Sequence, residues 1–177
     1  MSGFTPTEAP ASELCLMAVD PGITGAVAFY FPDRAERIAV EDMPAVDGAV
    51  NVRELRRAIQ SYAPVFAVVE KVNAMPSIPG KDGKRRSMGA SSAFNFGGAF
   101  HAALATIQCC EVPLHLIEPK TWRGHFRIKG GDIGKEQGRA LAIRLFPHSA
   151  DRFARKKDHG RADAALLAKF ASERING

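Results

Sequence analysis

The chain has 177 residues, 46% apolar and 24% charged, a length and balance that fit a single globular domain able to bury a sizeable core. It shows no basic-then-apolar leader and no apolar run long enough to cross a bilayer, so the expectation is a cytoplasmic chain without a membrane partner. The net charge of +5 conceals an asymmetry: residues 1–80 carry 6 Lys/Arg against 10 Asp/Glu, and residues 81–177 carry 18 against 9, the footprint of a surface that meets a polyanion.

Residues 1–13 carry Pro, Ser, Thr and Glu and read as a loose tail, leaving residues 14–177 as the folded domain. The run ELCLMAVD is almost continuously apolar and predicts a buried strand ending at Asp20. PGITG is a turn, and AVAFYF and RIAVEDM are two more strands across the turn PDRAE. NVRELRRAIQSYA has helical spacing at Val52, Leu55, Ile59 and Tyr62, with Asn51 as its N-cap. PVFAVVE is another buried strand, ending at Glu70. KVNAMPSIPGKDGKRRSMGA has no period and predicts a long loop, and SSAFNFGGAFHAALATIQ predicts a helix. PLHLIEP is a fifth strand, and helices are expected at 119–126, 132–146 and 159–174. This order makes a mixed α/β sheet flanked by helices. Three cysteines, Cys15, Cys109 and Cys110, with no CxxC pair, suggest buried thiols in a reducing compartment.

Two predicted strands end in an acid, Asp20 and Glu70, and a helical crossover between them allows parallel, adjacent pairing. Sites in open α/β sheets form at the carboxyl ends of strands. In the last helix Asp163 shares an apolar stripe with Leu166, Leu167 and Phe170, at offsets of three, four and seven. A carboxylate aimed inward there would meet Asp20 and Glu70. Converging carboxylates repel unless a cation neutralises them, and an oxygen-only set suits Mg²⁺ or Mn²⁺. With a basic surface around it, such a cluster points to phosphodiester chemistry on nucleic acid.

The stretches AVDPGITGAVAF, VVEKV and KKDHGRADAALLA resemble the acidic motifs of RuvC-type Holliday-junction resolvases, and the segment TWRGHFRIKGGDIGKEQGRALAIRLFP resembles a subgroup found in phages and chloroplasts. The resemblance runs from about residue 14 to 170. It implies an RNase H-like fold with a five-stranded mixed sheet, and a bacterial or phage-encoded protein. It also implies metal-binding acids at Asp20, Glu70, Asp158 and Asp163, with Lys135 near the scissile phosphate. The implied activity is Mg²⁺-dependent hydrolysis (Mn²⁺ also serving) of four-way DNA junctions. Asp20 would bridge two ions, Glu70 would hold one and Asp158 or Asp163 the other, leaving 5′-phosphate and 3′-hydroxyl ends. Asp158 and Asp163 are five residues apart, wider than in bacterial RuvC proteins and shared with the subgroup. The resemblance also implies a homodimer, paired through the helix at 91–108, whose Ser91, Ser92, Gly97, Gly98, Ala102 and Ala103 would permit close approach. DNA phosphates would meet Lys81, Lys84, Arg85 and Arg86 in the loop after Glu70, with Met75, Ile78 and Pro79 as wedges between bases. Lys120, Arg123, Lys129, Lys156, Lys157 and Arg161 would extend that face.

Taken singly, the residues leave alternatives open. Asp20 before Pro-Gly fits a turn, Glu70 a surface ion pair, and Asp163 an internal ion pair with an arginine. Asp158 stands where an N-cap belongs, its side chain aimed at the first turn of the helix. Lys135 fits a solvated helix lysine, His159 a general base or a group facing solvent or DNA, and Trp122 with Phe126 a core pair. Competing functions are a nuclease of the RNase H type on RNA–DNA hybrids, a non-catalytic junction-binding protein, and a nucleotide-binding actin-like or kinase domain, for which the chain is short.

Overall fold

The computed structural model describes residues 14–34, 36–72, 78–79, 85–86 and 89–175. The expected tail, Met75, Lys81 and Lys84 lie outside the described residues, and of Ile78, Pro79, Arg85 and Arg86 the backbone alone is described. In chain order the elements are β1 (Leu16–Asp20), β2 (Ala26–Tyr30), β3 (Ile38–Asp42), a small hairpin of β4 (Ala45–Val46) and β5 (Ala49–Val50), α1 (Val52–Tyr62), β6 (Phe66–Glu70), a second small hairpin of β7 (Ile78–Pro79) and β8 (Arg85–Arg86), α2 (Ala90–Cys109), β9 (Leu114–Ile117), α3 (Pro119–His125), α4 (Gly131–Leu145) and α5 (His159–Ile175). Five strands form the central sheet in the order β3-β2-β1-β6-β9. β1–β2 and β2–β3 pair antiparallel, whereas β1–β6 and β6–β9 are parallel. Asn51 caps α1 as expected, its side chain accepting from the Glu54 N–H at 3.3 Å.

The apolar strands are continuous because both faces of the sheet are covered. On one face Met17, Val19, Val27, Phe29, Ala67 and Val69 pack with residues of α1 and α2. On the other, Ala18, Ala28, Tyr30, Val40 and Val68 pack with α5 and, through it, α4. The parallel register pairs Val19 with Val69, so the next residues, Asp20 and Glu70, end adjacent strands side by side. Alternate residues share a face, so the two acids follow Ala18 and Val68 onto the face covered by α5.

Three expectations need correction. The segment after Glu70 is not all loop, since β7 and β8 pair within it, Ile78 opposite Arg86 and Pro79 opposite Arg85; Gly and charge hid strands only two residues long. Cys15 is buried, but Cys109 is exposed and Cys110 half-buried, at and just beyond the end of α2. Finally, the burial of α5 extends well beyond the stripe of Asp163, Leu166, Leu167 and Phe170. Ala162 through Ala168 are all buried, because the helix runs between the sheet and α4; a helix covered on every side needs small and apolar residues all round.

The turn that carries Asp20 into β2 depends on Gly25. Its N–H donates to the Gly22 carbonyl at 3.1 Å and its carbonyl accepts from the Met43 N–H at 2.9 Å. A Cβ at this position would collide with the backbone carbonyl of Asp20. Gly25→Ala should therefore lower the unfolding free energy by about 1–3 kcal/mol, the range for forced overpacking, as read from urea denaturation curves; a midpoint equal to the parent's would show that the turn relaxes freely.

Candidate functional site

Asp20, Glu70 and Asp163 reach one end of the sheet from three elements. β1 and β6 deliver the first two, and α5 delivers Asp163, which is 8% exposed. Gly160, three residues ahead of Asp163, is what lets α5 approach. A Cβ there would stand 3.1 Å from Asp20 Oδ2 and 3.1 Å from the Thr24 carbonyl oxygen. Beside these groups opens a cavity of about 590 Å³, whose lining includes Asp20, Phe96, Arg123, Lys135, His159 and Asp163.

The electrostatics of the three acids are those of a crowded set. Removal from water raises the Asp20 pKa well above the ordinary carboxylate value, and the charges of Asp163 and Glu70 push it further. Glu70 is raised by burial, opposed by a hydrogen bond from Trp122 and by the charge of Arg123. Asp163 is pushed up to about 6, chiefly by burial, with Glu70 adding and Arg123 and Lys135 opposing. One cation is built in. The Arg123 Nη2 donates to Asp163 Oδ2 at 2.7 Å, so the internal ion pair with an arginine is present. The guanidinium also lies 4.9 Å from the centre of the Trp122 ring, and its Nε is buried without a hydrogen-bond partner among the described residues. The Trp122 indole N–H donates to Glu70 Oε2 at 2.7 Å.

Asp158, expected beside these acids, does not line the cavity, and neither does Glu70. Asp158 is 1% exposed and its carboxylate is committed to Arg155. It accepts from the Arg155 backbone N–H at 2.8 Å, from Nε at 3.1 and 3.2 Å, and from Nη2 at 2.9 Å. Arg161 Nη1 stands 3.9 Å away. Burial works to raise its pKa, but these bonds and charges hold it below the usual range. The direction of capping differs from the expected one. Asp158 reaches back to residue 155, closing the 3-10 turn Lys156–Asp158, rather than forward into α5.

The remaining candidates divide by position. Lys135 lines the cavity with a half-exposed side chain, 3.3 Å from Asp132. His159 lines it too. Burial lowers its pKa, as do the charges of Lys135, Arg123 and Arg139, with Asp158 opposing, and this favours the neutral ring. Lys120, Lys129, Lys156 and Lys157 are exposed. Arg161 is engaged instead, its Nε and Nη2 bonding both oxygens of Asp42 at 2.6 and 2.8 Å, which ties α5 to the end of β3. Trp122 and Arg123 were undervalued by the sequence, one as core and the other as a phosphate contact. The available signal was chemical: a buried tryptophan needs an acceptor for its N–H, and a strand-end glutamate was the nearest in kind.

Carboxylate oxygens are the donor type that suits a hard divalent cation. The three acids offer these alone, and their mutual repulsion favours added positive charge. Each protein bond to Glu70 and Asp163 takes one oxygen of a group that has two. Among the described residues, no group of three or more His, Cys, Asp or Glu side chains is arranged to hold a metal ion.

The raised pKa of Asp163 has a defined sign. The folded state holds the proton more tightly than the unfolded chain, whose value is near 3.9, so stability falls as pH climbs from about 4 to 6 and stays lower above. Asp163→Asn removes that slope. In cation-free buffer the variant should gain on the parent by roughly 2–3 kcal/mol between pH 4 and pH 7, visible in paired thermal melts with EDTA; a constant difference across that range would contradict the burial-driven shift.

No family model matches the chain, and no curated protein sequence matches it. Solved structures do. Thermus thermophilus RuvC in complex with a Holliday junction substrate superposes with a TM-score of 0.58 at 12% identity, covering 91% of this chain and 96% of that one. Another Thermus thermophilus RuvC structure gives 0.57 at 13% identity, covering 92% and 97%. The five-stranded mixed sheet flanked by helices is thus a RuvC-like, RNase H-like α/β fold.

Proposed function

We propose that the protein is a metal-dependent endodeoxyribonuclease that resolves four-way DNA junctions, of the phage and chloroplast kind within the RuvC-type resolvases. The observation that carries this reading is the meeting of Asp20, Glu70 and Asp163 at the carboxyl end of the β1–β6 pair, beside a cavity that also presents Lys135. The spacing of five between Asp158 and Asp163 and the DHGRAD stretch support the subgroup. The junction-bound state of the neighbouring RuvC structure supports the substrate.

Asp20, Glu70 and Asp163 would hold Mg²⁺ or Mn²⁺. A divalent cation so held lowers the pKa of a bound water and offsets charge on a leaving 3′-oxygen. Lys135, at the cavity wall, neutralises charge on the scissile phosphate. Arg123 balances the acids and holds Asp163 in place. Asp158 acts through structure, locking the turn from which α5 starts, and the ligand set is three acids rather than four. Arg85 and Arg86, with Lys81 and Lys84, supply backbone contacts from the segment after Glu70, and Lys120, Lys129, Lys156 and Lys157 extend them. A junction with two-fold symmetry calls for a two-fold protein. The first half of α2 offers the surface for it, with Ser91, Ser92 and Gly98 exposed and Phe94 81% exposed.

The test is a panel of synthetic four-way junction, duplex, flap and RNA–DNA hybrid with and without Mg²⁺. The parent should cut the junction in preference, leaving 5′-phosphates. Asp20→Asn and Glu70→Gln should each slow single-turnover cleavage by at least on the order of 100-fold while retaining junction affinity. Preferred cutting of the hybrid would move the protein to RNase H-type chemistry, and binding without cutting by the parent would make it a junction-binding protein.

A further inference from the structure

We infer that Asn95 and Phe96, on the face of α2 that lines the cavity, receive an unstacked nucleobase and so determine which base is accepted beside the scissile phosphate. The inference deepens the junction-resolvase reading and rests on it, with a DNA phosphate lying at the end of the cavity that Asp20 and Lys135 line.

The cavity has two unlike walls. Arg123 and Lys135 supply cations to one, beside Asp20 and Asp163. The other carries no charge: Ser92, Asn95 and Phe96 line it from the first two turns of α2, with Pro21, Gly22 and Ile23 of the turn after β1. Ser92 stands three residues before Asn95 and four before Phe96, so one side of the helix presents a hydroxyl, an amide and an aromatic ring together. Ser92 and Asn95 are exposed, and their side chains make no hydrogen bond among the described residues. Phe96 is half-buried and has no aromatic partner among the described residues. Its ring is seated against the turn: a Cβ on Gly22 would stand 3.4 Å from Cε2 and 3.6 Å from Cδ2. Gly22, at φ +135°, puts no side chain there, which lets the ring lie close to the turn that follows Asp20.

A hydrated cation gains nothing from this neutral wall. A nucleobase does, because its flat face packs on an aromatic ring and its edge pairs with an amide, which carries both donor and acceptor. At about 590 Å³ the cavity is in the size range of sites that take small organic groups. The phosphate and base of one nucleotide are joined through a single sugar, which suits cationic and neutral walls that face the same space. To lie on Phe96 the base must leave its stack. Unstacking costs least where pairing and stacking are already interrupted, and they are interrupted where the strands of a junction diverge. Such a subsite favours a branched substrate over a continuous duplex as well as one base over another, through contacts other than those to phosphate.

The experiment uses the whole chain and synthetic four-way junctions that differ only in the base pair flanking the cut. Single-turnover rates with Mg²⁺ are compared across this set. In the parent they should spread by roughly tenfold or more, the discrimination that one read base supplies. Phe96→Leu keeps an apolar group against Gly22 and removes the flat face, so the fastest rate should fall roughly tenfold, as for loss of one stacked base, and the spread should narrow. Phe96→Tyr keeps the ring and should keep the parent's order. Asn95→Ala should change that order. The salt dependence of junction affinity should be the same in all, since no phosphate contact is lost. A merely structural role would scale every rate alike and leave spread and order intact, which would overturn the inference. A second measurement needs no variant. A junction carrying 5-iodouracil beside the cut, irradiated with the parent in EDTA, should cross-link to the peptide that holds Asn95 and Phe96. Adducts confined to peptides outside α2 would overturn the inference even if the variants fail to fold. Cross-linking at α2 by a parent that cuts nothing would keep the base subsite and remove the nuclease reading. Junction cutting that ignores the flanking base would keep the nuclease reading and remove the subsite.

Discussion

Three carboxylates forced together at the end of a buried strand pair repel one another, and much of the surrounding structure can be understood as the means of tolerating that. Asp20 feels the burial and both of its acidic neighbours, which raise its pKa well above the ordinary carboxylate value. The fold supplies a bonded counter-charge in Arg123, which donates to Asp163 and rests against Trp122, with Lys135 opposing at longer range. These cations do not restore ordinary acidity, for Asp163 is pushed up to about 6. The residual repulsion makes the cluster receptive to further positive charge, and the surrounding lysines favour an anion close by.

The geometry that creates the crowding comes from the backbone. Parallel pairing of β1 with β6 sets Asp20 and Glu70 side by side, and the alternation of strand residues turns both toward α5. The third acid arrives because α5 is a buried helix whose first turn can touch the β1 end, which Gly160 permits by having no side chain. The network of Arg155, Asp158, Arg161 and Asp42 fixes where that helix starts and ties it to β3. Within this network Asp158 is buried while Arg155 and Asp42 are exposed, so removing Arg155 would strand a buried carboxylate, and the effect of the network is to specify position.

Much of this was legible in the sequence. The succession of elements along the chain, the adjacency of the strands ending in Asp20 and Glu70, and the inward face of Asp163 follow from unbroken apolar runs and from one acid on an apolar stripe. What was not legible depends on contacts between residues far apart in the chain. Nothing local to Trp122 says that its N–H meets a carboxylate 52 residues away, and nothing local to Arg123 says that it bonds Asp163 rather than a phosphate. Asp158 misled for a different reason. Its place at a helix start suggested a forward cap, but a preceding arginine offered both a backbone and a guanidinium donor, and the carboxylate turned back to it. The all-round burial of α5 was hidden because alanine is compatible with either a solvated or a covered face.

The most direct measurement is diffraction from crystals equilibrated with Mn²⁺, with data collected at the manganese absorption edge. If Asp20, Glu70 and Asp163 form the site, the strongest anomalous density lies among their carboxylates, with Asp158 still bonded to Arg155. Density bound by Asp158, or strong density only at positions away from Asp20 and Glu70, would contradict a three-carboxylate site at the end of the sheet.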